Sequence, residues 1–374
     1  MRAFCIAKGL PAYRHLLGSL IAMWLGLALQ PASGQAAPSA PASGPRWIAV
    51  PRVAGRLHAA QIGLVINSAD PYSVAVGDDY QRRRGLTPAQ VLRVELPLRG
   101  VLSAEEFDAL RGRIARYFGP SVQALALAWV APYAVQCNSI TGALALGYDG
   151  ELCKHSCSAS RASPYFDRPA ARPFTELGLR PSMLLAAPSV EQARALIERG
   201  IAADGSLRLR GRPPANALFI ATDDAARRVR MALYPPAGAL RGAGVDVHVV
   251  PPAALAETPR VLLAMTGSMK LRLPPAIDWL PGALADHLTS SGGVLAGDSG
   301  QSSALEWIAS GATASYGSVS EPCNHLQKFP HPQLLLLNYL QGATAIEAYW
   351  RSVAWPQQGL FIGEPLAAPF APRR

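Results

Sequence analysis

The chain has 374 residues, of which 50% are hydrophobic and 16% are charged. This composition is typical of a globular protein and excludes a disordered chain, which combines low hydrophobicity with high charge. The formal charge of +10 is spread mostly over scattered arginines, without a basic stretch interleaved with aromatic residues, so it does not predict a nucleic-acid-binding surface.

Residues 1–36 have the three parts of a secretory signal peptide. A positive region with Arg2, Lys8 and Arg14 precedes an apolar run at 16–29, and small residues follow that run. The run has 14 residues, which is short for a membrane span. The alternative is an uncleaved membrane anchor. We expect an exported protein, periplasmic or secreted, whose mature part contains no membrane span.

After a linker and N-terminal segment at residues 37–59, residues 60–130 alternate between strand and helix patterns. Three apolar runs predict strands, at residues 61–67, 91–96 and 123–130. Two helices are predicted between them, because Asp70 is an N-cap residue directly before a proline, and Ser103 forms a capping box with Glu106. This alternation indicates an α/β lobe built on a parallel sheet.

Residues 131–181 interrupt the alternation with a long segment rich in serine, proline and glycine. A segment of this kind inside a domain is either functional or cross-linked. Four cysteines follow the signal region, three of them in this insertion: Cys137, Cys153, Cys157 and Cys323. In an exported protein an even number of cysteines predicts disulfides. Three pairings are possible, and we favour Cys153–Cys157 with Cys137–Cys323.

Two sets of residues have the types that bind metal ions. The cysteines of the insertion lie near His155, and His325 lies near His331. In neither set does the spacing dictate a complete set of ligands, and we predict no metal and no cofactor.

Residues 182–374 resume the alternation. Strand patterns recur at 182–187, 216–222, 245–250, 260–266 and 359–362. Helical patterns occupy 190–203, 225–233, 279–290, 333–341 and 344–352. We expect a second α/β lobe over this region, with helices packed on parallel strands.

Residues 292–324 carry the pattern around which we predict the functional site. An apolar run at 293–297 predicts a strand, the pattern at 303–310 predicts a helix, and a second apolar run follows at 312–316. A strand–helix–strand unit of this length is a right-handed crossover, which places its two strands parallel to each other. In parallel sheets, ligands bind beyond the carboxyl ends of the strands.

The candidate binding residues follow predicted strands, at this unit and earlier in the chain: Asp70, Asn138, Asp298, Ser299, Glu321 and Asn324. For Asp298 and Ser299 the alternative is capping of the next helix. Catalysis would require Ser299 or Cys323 as a nucleophile beside an imidazole. His325 is the candidate base, and His287 is a second candidate for Ser299. Because Cys323 is expected in a disulfide, catalysis is the rival hypothesis.

The chain after the signal region resembles a bacterial family of exported proteins to which no activity is attached. The resemblance covers most of the chain. The residues that carry it are Asn67, Asp70 and Ser73, with residues 84–86, 132–133, 137–142, 303–307, 321–324, 328–330 and 359–363.

Residues 261–366 are similar to the catalytic domain of gingipain-type cysteine peptidases, which have a caspase-like fold. The matching stretches, in the family's order, are 266–267, 302–306, 311–318 and 363–366. In that family one strand ends at a histidine followed by glycine, and the next strand ends at the nucleophilic cysteine. Here Ser268 and Met269 stand at the first place, and Asp298 and Ser299 stand at the second. The resemblance implies a caspase-like C-terminal lobe without the family's thiol and imidazole, that is, a pseudo-peptidase.

We therefore expect an exported binding or assembly protein that is not a peptidase and that recognises a protein or peptide partner. The rival hypothesis is a periplasmic hydrolase that uses Ser299 or Cys323 with His325.

Overall fold

The structure is a computed structural model that describes residues 55–207, 213–240 and 242–372. The predicted signal peptide and most of the predicted linker lie outside the described residues. Within these ranges, no helix is both long enough and apolar enough to cross a membrane.

The described part of the chain contains fourteen strands and ten α-helices. The strands are β1 (Ile62–Asn67), β2 (Val91–Val94), β3 (Val101–Leu102), β4 (Ala124–Leu127), β5 (Ala134–Val135), β6 (Asn138–Ser139), β7 (Ser182–Leu184), β8 (Ala215–Ile220), β9 (Gly238–Leu240), β10 (Val245–Val250), β11 (Val261–Gly267), β12 (Trp279–Leu288), β13 (Ala314–Ser318) and β14 (Gly359–Gly363). The helices are α1 (Pro71–Arg84), α2 (Ala104–Tyr117), α3 (Ile140–Leu146), α4 (Gly150–Lys154), α5 (Pro173–Leu177), α6 (Val190–Ala203), α7 (Ala254–Glu257), α8 (Leu305–Ser310), α9 (Pro332–Leu340) and α10 (Ala345–Ser352).

Eleven of these strands form one sheet, in the order β2-β1-β4-β7-β14-β13-β12-β11-β8-β10-β9. The first half, from β2 to β14, consists of strands that run parallel to one another. The second half, from β13 to β10, is also parallel throughout. The halves meet at an antiparallel pair, β14 with β13, and β9 is antiparallel to β10. The predicted α/β class with a predominantly parallel sheet is confirmed.

The two halves of the sheet run in opposite directions. The carboxyl ends of β1 and β4 therefore lie on one edge of the sheet, and the carboxyl ends of β12 and β13 lie on the other. Strands from residues 60–130 and from residues 182–374 belong to the same continuous sheet.

The first two long helices begin at the capping residues that the sequence predicted. The side chain of Asp70 accepts the N–H of Tyr72 at the start of α1, and Gly85 ends that helix with a left-handed backbone, φ 65°. Ser103 and Glu106 form the capping box of α2. Each such cap stabilises its helix by about 1 kcal/mol.

The segment predicted as a helix at 279–290 is strand β12, so that prediction was wrong. β12 lies between β11 and β13, and its last seven residues are all buried. A strand covered on both faces is a continuous apolar run, which periodicity does not distinguish from a buried helix. Pro281 and Gly282 were the available contrary signal, because both residue types are unfavourable inside a helix.

The run at 293–297, predicted as a strand, lies outside the sheet. Its first residue, Gly293, donates its N–H to the Ser318 carbonyl at 2.8 Å, so the run folds against the end of β13. The predicted crossover does exist, but it consists of β12, α8 and β13, whose strands are parallel. The region 225–233, predicted as an α-helix, contains the 3₁₀ helix Arg228–Leu233.

The insertion at 131–181 is cross-linked as predicted, but the favoured pairing was wrong. The disulfides join Cys137 to Cys153 and Cys157 to Cys323. The cause lies in α4, whose N-cap residue is held by Asn138: the Asn138 side chain donates to the Asp149 carbonyl at 2.9 Å. This contact brings Cys153 to Cys137, and the turn that follows α4 directs Cys157 to the loop after β13.

A buried ionic cluster fixes the insertion to α10. The guanidinium of Arg351 donates to Glu347 Oε1 at 2.9 Å, to the Tyr165 hydroxyl at 3.0 Å and to the Ala170 carbonyl at 2.9 Å. Both charged side chains are fully buried. Because Tyr165 and Ala170 belong to the insertion, this segment is a packed part of the protein.

Candidate functional site

Four loops leave the sheet at the same edge, because they follow parallel strands of its second half. They are residues 221–227 after β8, 268–278 after β11, 289–304 after β12 and 319–325 after β13. We call this set of loops the carboxyl rim. The second and third loops are in contact, because the N–H of Ser302 donates to the Met269 carbonyl at 2.9 Å. The disulfide from Cys157 adds the insertion to the same rim.

Asp298 and Ser299 lie in the third loop and close a local turn. Asp298 is exposed, and its Oδ1 accepts the N–H of Gly300 at 2.7 Å. The hydroxyl of Ser299 accepts the N–H of Gln301 at 3.3 Å. Neither caps α8, which begins at Leu305. The predicted alternative role in helix capping was therefore wrong.

Glu321, Cys323, Asn324 and His325 lie in the fourth loop. Glu321 Oε1 accepts the backbone N–H of Cys323 at 2.7 Å. Cys323 and Asn324 have left-handed backbones, with φ 56° at each. The sulfur of Cys323 is bonded to Cys157 and supplies no thiolate, so the cysteine–histidine pair of the rival hypothesis does not exist in this structure. The ring of His325 lies instead 5.9 Å from that of Trp355.

Asp70 does not join this group of residues, whereas Asn138 lies next to Cys137, whose carbonyl accepts from Ser320 Oγ of the fourth loop at 2.6 Å. Asp70 caps α1 at the carboxyl end of β1, on the edge of the sheet opposite to the rim. Asn138 is buried, and its Oδ1 accepts from Gln357 Nε2 at 2.6 Å and from the Asp149 N–H at 3.1 Å. The predicted single cleft was therefore wrong for Asp70, because the sheet reverses direction between β14 and β13.

The residue that directly follows the strand next to β11 is Thr289, not Asp298. Because β12 ends at Leu288, a buried threonine is the first residue of the loop that follows this strand. Its hydroxyl donates to Gln301 Oε1 at 2.6 Å and accepts from Arg227 Nε at 3.2 Å. At the end of β11, the hydroxyl of Ser268 donates to the Lys270 carbonyl.

In the described part of the chain, no histidine is placed to take a proton from these hydroxyl groups. Among the described residues, no histidine hydrogen-bonds to Ser268, Thr289 or Ser299. His287 is buried in β12, where its Nδ1 accepts from Trp307 Nε1 at 3.0 Å and its Nε2 donates to the Ser302 carbonyl at 3.0 Å. Burial lowers the pKa of His287 to about 4. It is therefore a neutral core residue with both ring nitrogens occupied.

The rim contains a cleft of about 320 Å³ between its first and second loops. Its floor is apolar and includes Ile220, Leu255, Leu271, Leu273 and Trp307. The border of the cleft is polar and includes Thr222, Asp224, Lys270 and Arg272. The sequence-based reasoning missed this cleft. The signal in the sequence was the alternation of apolar and basic residues at 269–273, which follows a predicted strand.

A larger cavity, of about 570 Å³, lies beside the end of α1. Arg83 and Arg84 line it, and each is held in an ion pair, although Arg83 shares its carboxylate with Arg82. Arg84 pairs with Glu364 and with Asp204, at 2.7 Å each, and Arg83 pairs with Asp79 at 3.0 Å. The cleft in the carboxyl rim is therefore the better candidate for a binding site.

In the described part of the chain, no group of three or more His, Cys, Asp or Glu side chains is placed to hold a metal ion. Cys137, Cys153 and Cys157 are all in disulfides, so they do not form the alternative metal site with His155.

No protein-family model matches this chain, and no curated protein is similar enough to count as a match. Two solved structures are similar to it. One is the complex of the Porphyromonas gingivalis RgpB pro- and mature domains, at 12% identity and a TM-score of 0.38, covering 82% of this chain and 79% of that chain. The other is the Arg-specific cysteine proteinase gingipain R (RGPB), at 12% identity and a TM-score of 0.39, covering 84% and 78%. A likeness this distant carries no argument about activity.

Proposed function

We propose that the protein binds a peptide or protein segment in the cleft of the carboxyl rim and does not cleave it. The observation that carries the proposal is an open cleft with apolar and polar lining residues at the carboxyl ends of β8 and β11. Ligands bind at this edge of parallel sheets in general.

The absence of a nucleophile–base pair in the described rim argues against hydrolysis. A serine or threonine hydroxyl attacks a carbonyl only when an adjacent base removes its proton. Thr289 instead contacts an amide and a guanidinium, through Gln301 and Arg227. A guanidinium stays protonated in proteins and does not act as a base.

The form of the cleft favours a polypeptide over a small polar molecule. Its floor consists of aliphatic side chains and one indole, and Met269 on its margin is 46% exposed. Apolar pockets with a polar border are typical of surfaces that bind protein segments. Asp298 and Ser299 lie in the third loop of the rim and Glu321 and Asn324 in the fourth, and we propose them as contacts for the part of a ligand that extends beyond the cleft.

A selection experiment tests this proposal. A phage-displayed library of random dodecapeptides is selected on the purified protein, and the enriched peptides are measured by fluorescence polarisation. Met269→Glu places a charge on the margin of the cleft and should weaken binding at least tenfold. Leu337→Glu is the control, because Leu337 is similarly exposed, at 40%, on α9. Equal binding to both variants, or no enriched peptide, would refute the cleft as the binding site.

The rival hypothesis of a hydrolase is tested separately. A fluorophosphonate probe should leave the folded protein unlabelled, and fluorescent casein should stay intact. Labelling that disappears in Ser299→Ala would establish the hydrolase instead.

We also propose that the protein is exported. Two disulfides among the described residues support this proposal, because such bonds persist in oxidising compartments. Expression of the full chain in a bacterium with two membranes should place it in the osmotic-shock fraction, with a new N-terminus after Gly34 or Ala36. Recovery in the cytoplasm with an intact N-terminus would contradict export.

A further inference from the structure

The second loop of the rim contains a short segment, residues 270–273, with unpaired backbone groups at Arg272 and Leu273. The two residues before them are paired: the N–H of Leu271 donates to the Ser302 hydroxyl at 2.9 Å, and the Lys270 carbonyl accepts from the Ser268 hydroxyl. Among the described residues, the N–H and C=O groups of Arg272 and Leu273 have no hydrogen-bond partner. Unpaired backbone groups at an exposed edge are a template for another strand.

The segment is not a strand of either sheet, but its side chains alternate between exposed and half-buried. Leu271 and Leu273 pack against the apolar cluster that includes Leu218 and Trp307. Arg272, between them, is exposed. An incoming strand beside such a segment has alternate side chains over the apolar floor and the others over the charged groups.

Two charges on this segment are uncompensated. Lys270 and Arg272 are exposed, and neither forms an ion pair with the described residues. The acidic residue of the same cleft, Asp224, is already paired with Arg227 at 2.9 Å. The cleft therefore presents a net positive border beside an apolar floor. A partner with acidic side chains complements that border.

We propose that residues 270–273 are a docking edge for an extended acidic segment of a partner protein. The partner adds as a strand through the backbone groups of Arg272. Its apolar side chains lie over Leu271 and Leu273, and its carboxylates pair with Lys270 and Arg272. This inference rests on the proposed function, and it specifies the conformation and the charge of the ligand.

Three synthetic octapeptides test the inference, each labelled with a fluorophore. The first alternates valine with glutamate, the second alternates valine with lysine, and the third is the first with alternate backbone amides N-methylated. N-methylation removes the N–H groups that a strand donates and leaves the side chains unchanged. The first peptide should bind, and the other two should bind at least tenfold more weakly.

Charge reversal in the protein is the complementary test. The variant Lys270→Glu with Arg272→Glu should reverse the preference, so that the lysine peptide binds more tightly than the glutamate peptide. The control is Arg168→Glu with Arg194→Glu, which makes the same change in net charge at exposed positions elsewhere and should leave the preference unchanged. Circular dichroism confirms that each variant is folded.

The outcomes separate this inference from the proposed function. If library peptides bind in a manner sensitive to Met269→Glu, but N-methylation and charge reversal have no effect, the docking edge is wrong and the cleft proposal stands. Failure of the glutamate peptide to bind at millimolar concentration also refutes the docking edge. If no peptide of either kind binds, both proposals fail.

Discussion

The indole N–H of Trp307 donates to Nδ1 of His287 at 3.0 Å, and this contact determines the state of the imidazole. Because Nδ1 accepts, the ring proton lies on Nε2, which donates to the Ser302 carbonyl at 3.0 Å. Trp307 belongs to α8 and His287 to β12, so the pair fixes the crossover helix to the sheet directly beneath the rim. Protonation of Nδ1 would replace an attraction between these residues by a clash of two donors.

Acidification should therefore destabilise the fold through His287. Its pKa is about 4 in the folded protein and about 6.5 in an unfolded chain. Between these values the unfolded chain binds more protons, so the free energy of unfolding falls as the pH is lowered from 6.5 to 4, by up to about 3 kcal/mol. Guanidinium unfolding at pH 7.0, 5.5 and 4.5 measures this loss.

The matched variant is His287→Gln, whose amide oxygen and nitrogen offer one acceptor and one donor to the same partners. It should be less stable at pH 7 but should lose less stability than the natural protein on acidification. An identical pH dependence in both proteins would show that His287 does not carry the effect.

The two disulfides should contribute unequally to stability. The bond between Cys157 and Cys323 closes a sequence separation of 166 residues, and that between Cys137 and Cys153 closes 16. Loop-closure entropy then gives about 5 kcal/mol for the first and about 3 kcal/mol for the second. Paired alanine substitutions of each bond, compared by urea unfolding, measure the difference. A greater loss from the short loop would contradict this account.

Asp70 and Asp298, two of the predicted binding residues, should contribute unequally to stability because their contacts differ. Asp70→Ala removes the cap of α1 and should lower the free energy of unfolding by about 1 kcal/mol. Asp298→Ala removes one contact in an exposed turn and should cost less than about 0.5 kcal/mol. Thermal unfolding of both variants is the measurement. A larger loss for Asp298 than for Asp70 would indicate that the loop at 289–304 has a structural role.

The parts of the fold that the sequence predicted are those set by local contacts. The caps at Asp70 and Ser103 are decided within a few residues, and the structure forms both. Strand β12 was mistaken for a helix because its burial depends on β11 and β13, which are distant in sequence. The disulfide pairing was missed for the same reason, since the contact of Asn138 with Asp149 is a tertiary one.

The predicted group of site residues differs from the structure at Asp70, which lies on the opposite edge of the sheet. A parallel crossover was correctly predicted, although its first strand is β12, and the loop after β12 contacts the end of β13, where Gly293 donates to Ser318. The inclusion of Asp70 assumed that all strands point the same way. No local pattern reveals the reversal at β14 and β13, because it depends on how the last strand inserts into the sheet.

The buried ion pair between Arg84 and Glu364 gives the last prediction. The carboxylate of Glu364 is fully buried and accepts from Arg84 Nε at 2.9 Å and from Arg84 Nη2 at 2.7 Å. Glu364→Gln leaves the guanidinium without its buried counter-charge and should cost about 3 kcal/mol. The control is Asp78→Asn, which breaks the exposed pair with Arg93 and should cost less than about 1 kcal/mol. Chemical unfolding of both variants tests the contrast, and raising the salt concentration should shrink only the effect of Asp78→Asn. Equal losses would mean that Asp204, the second partner of Arg84, compensates for the missing charge.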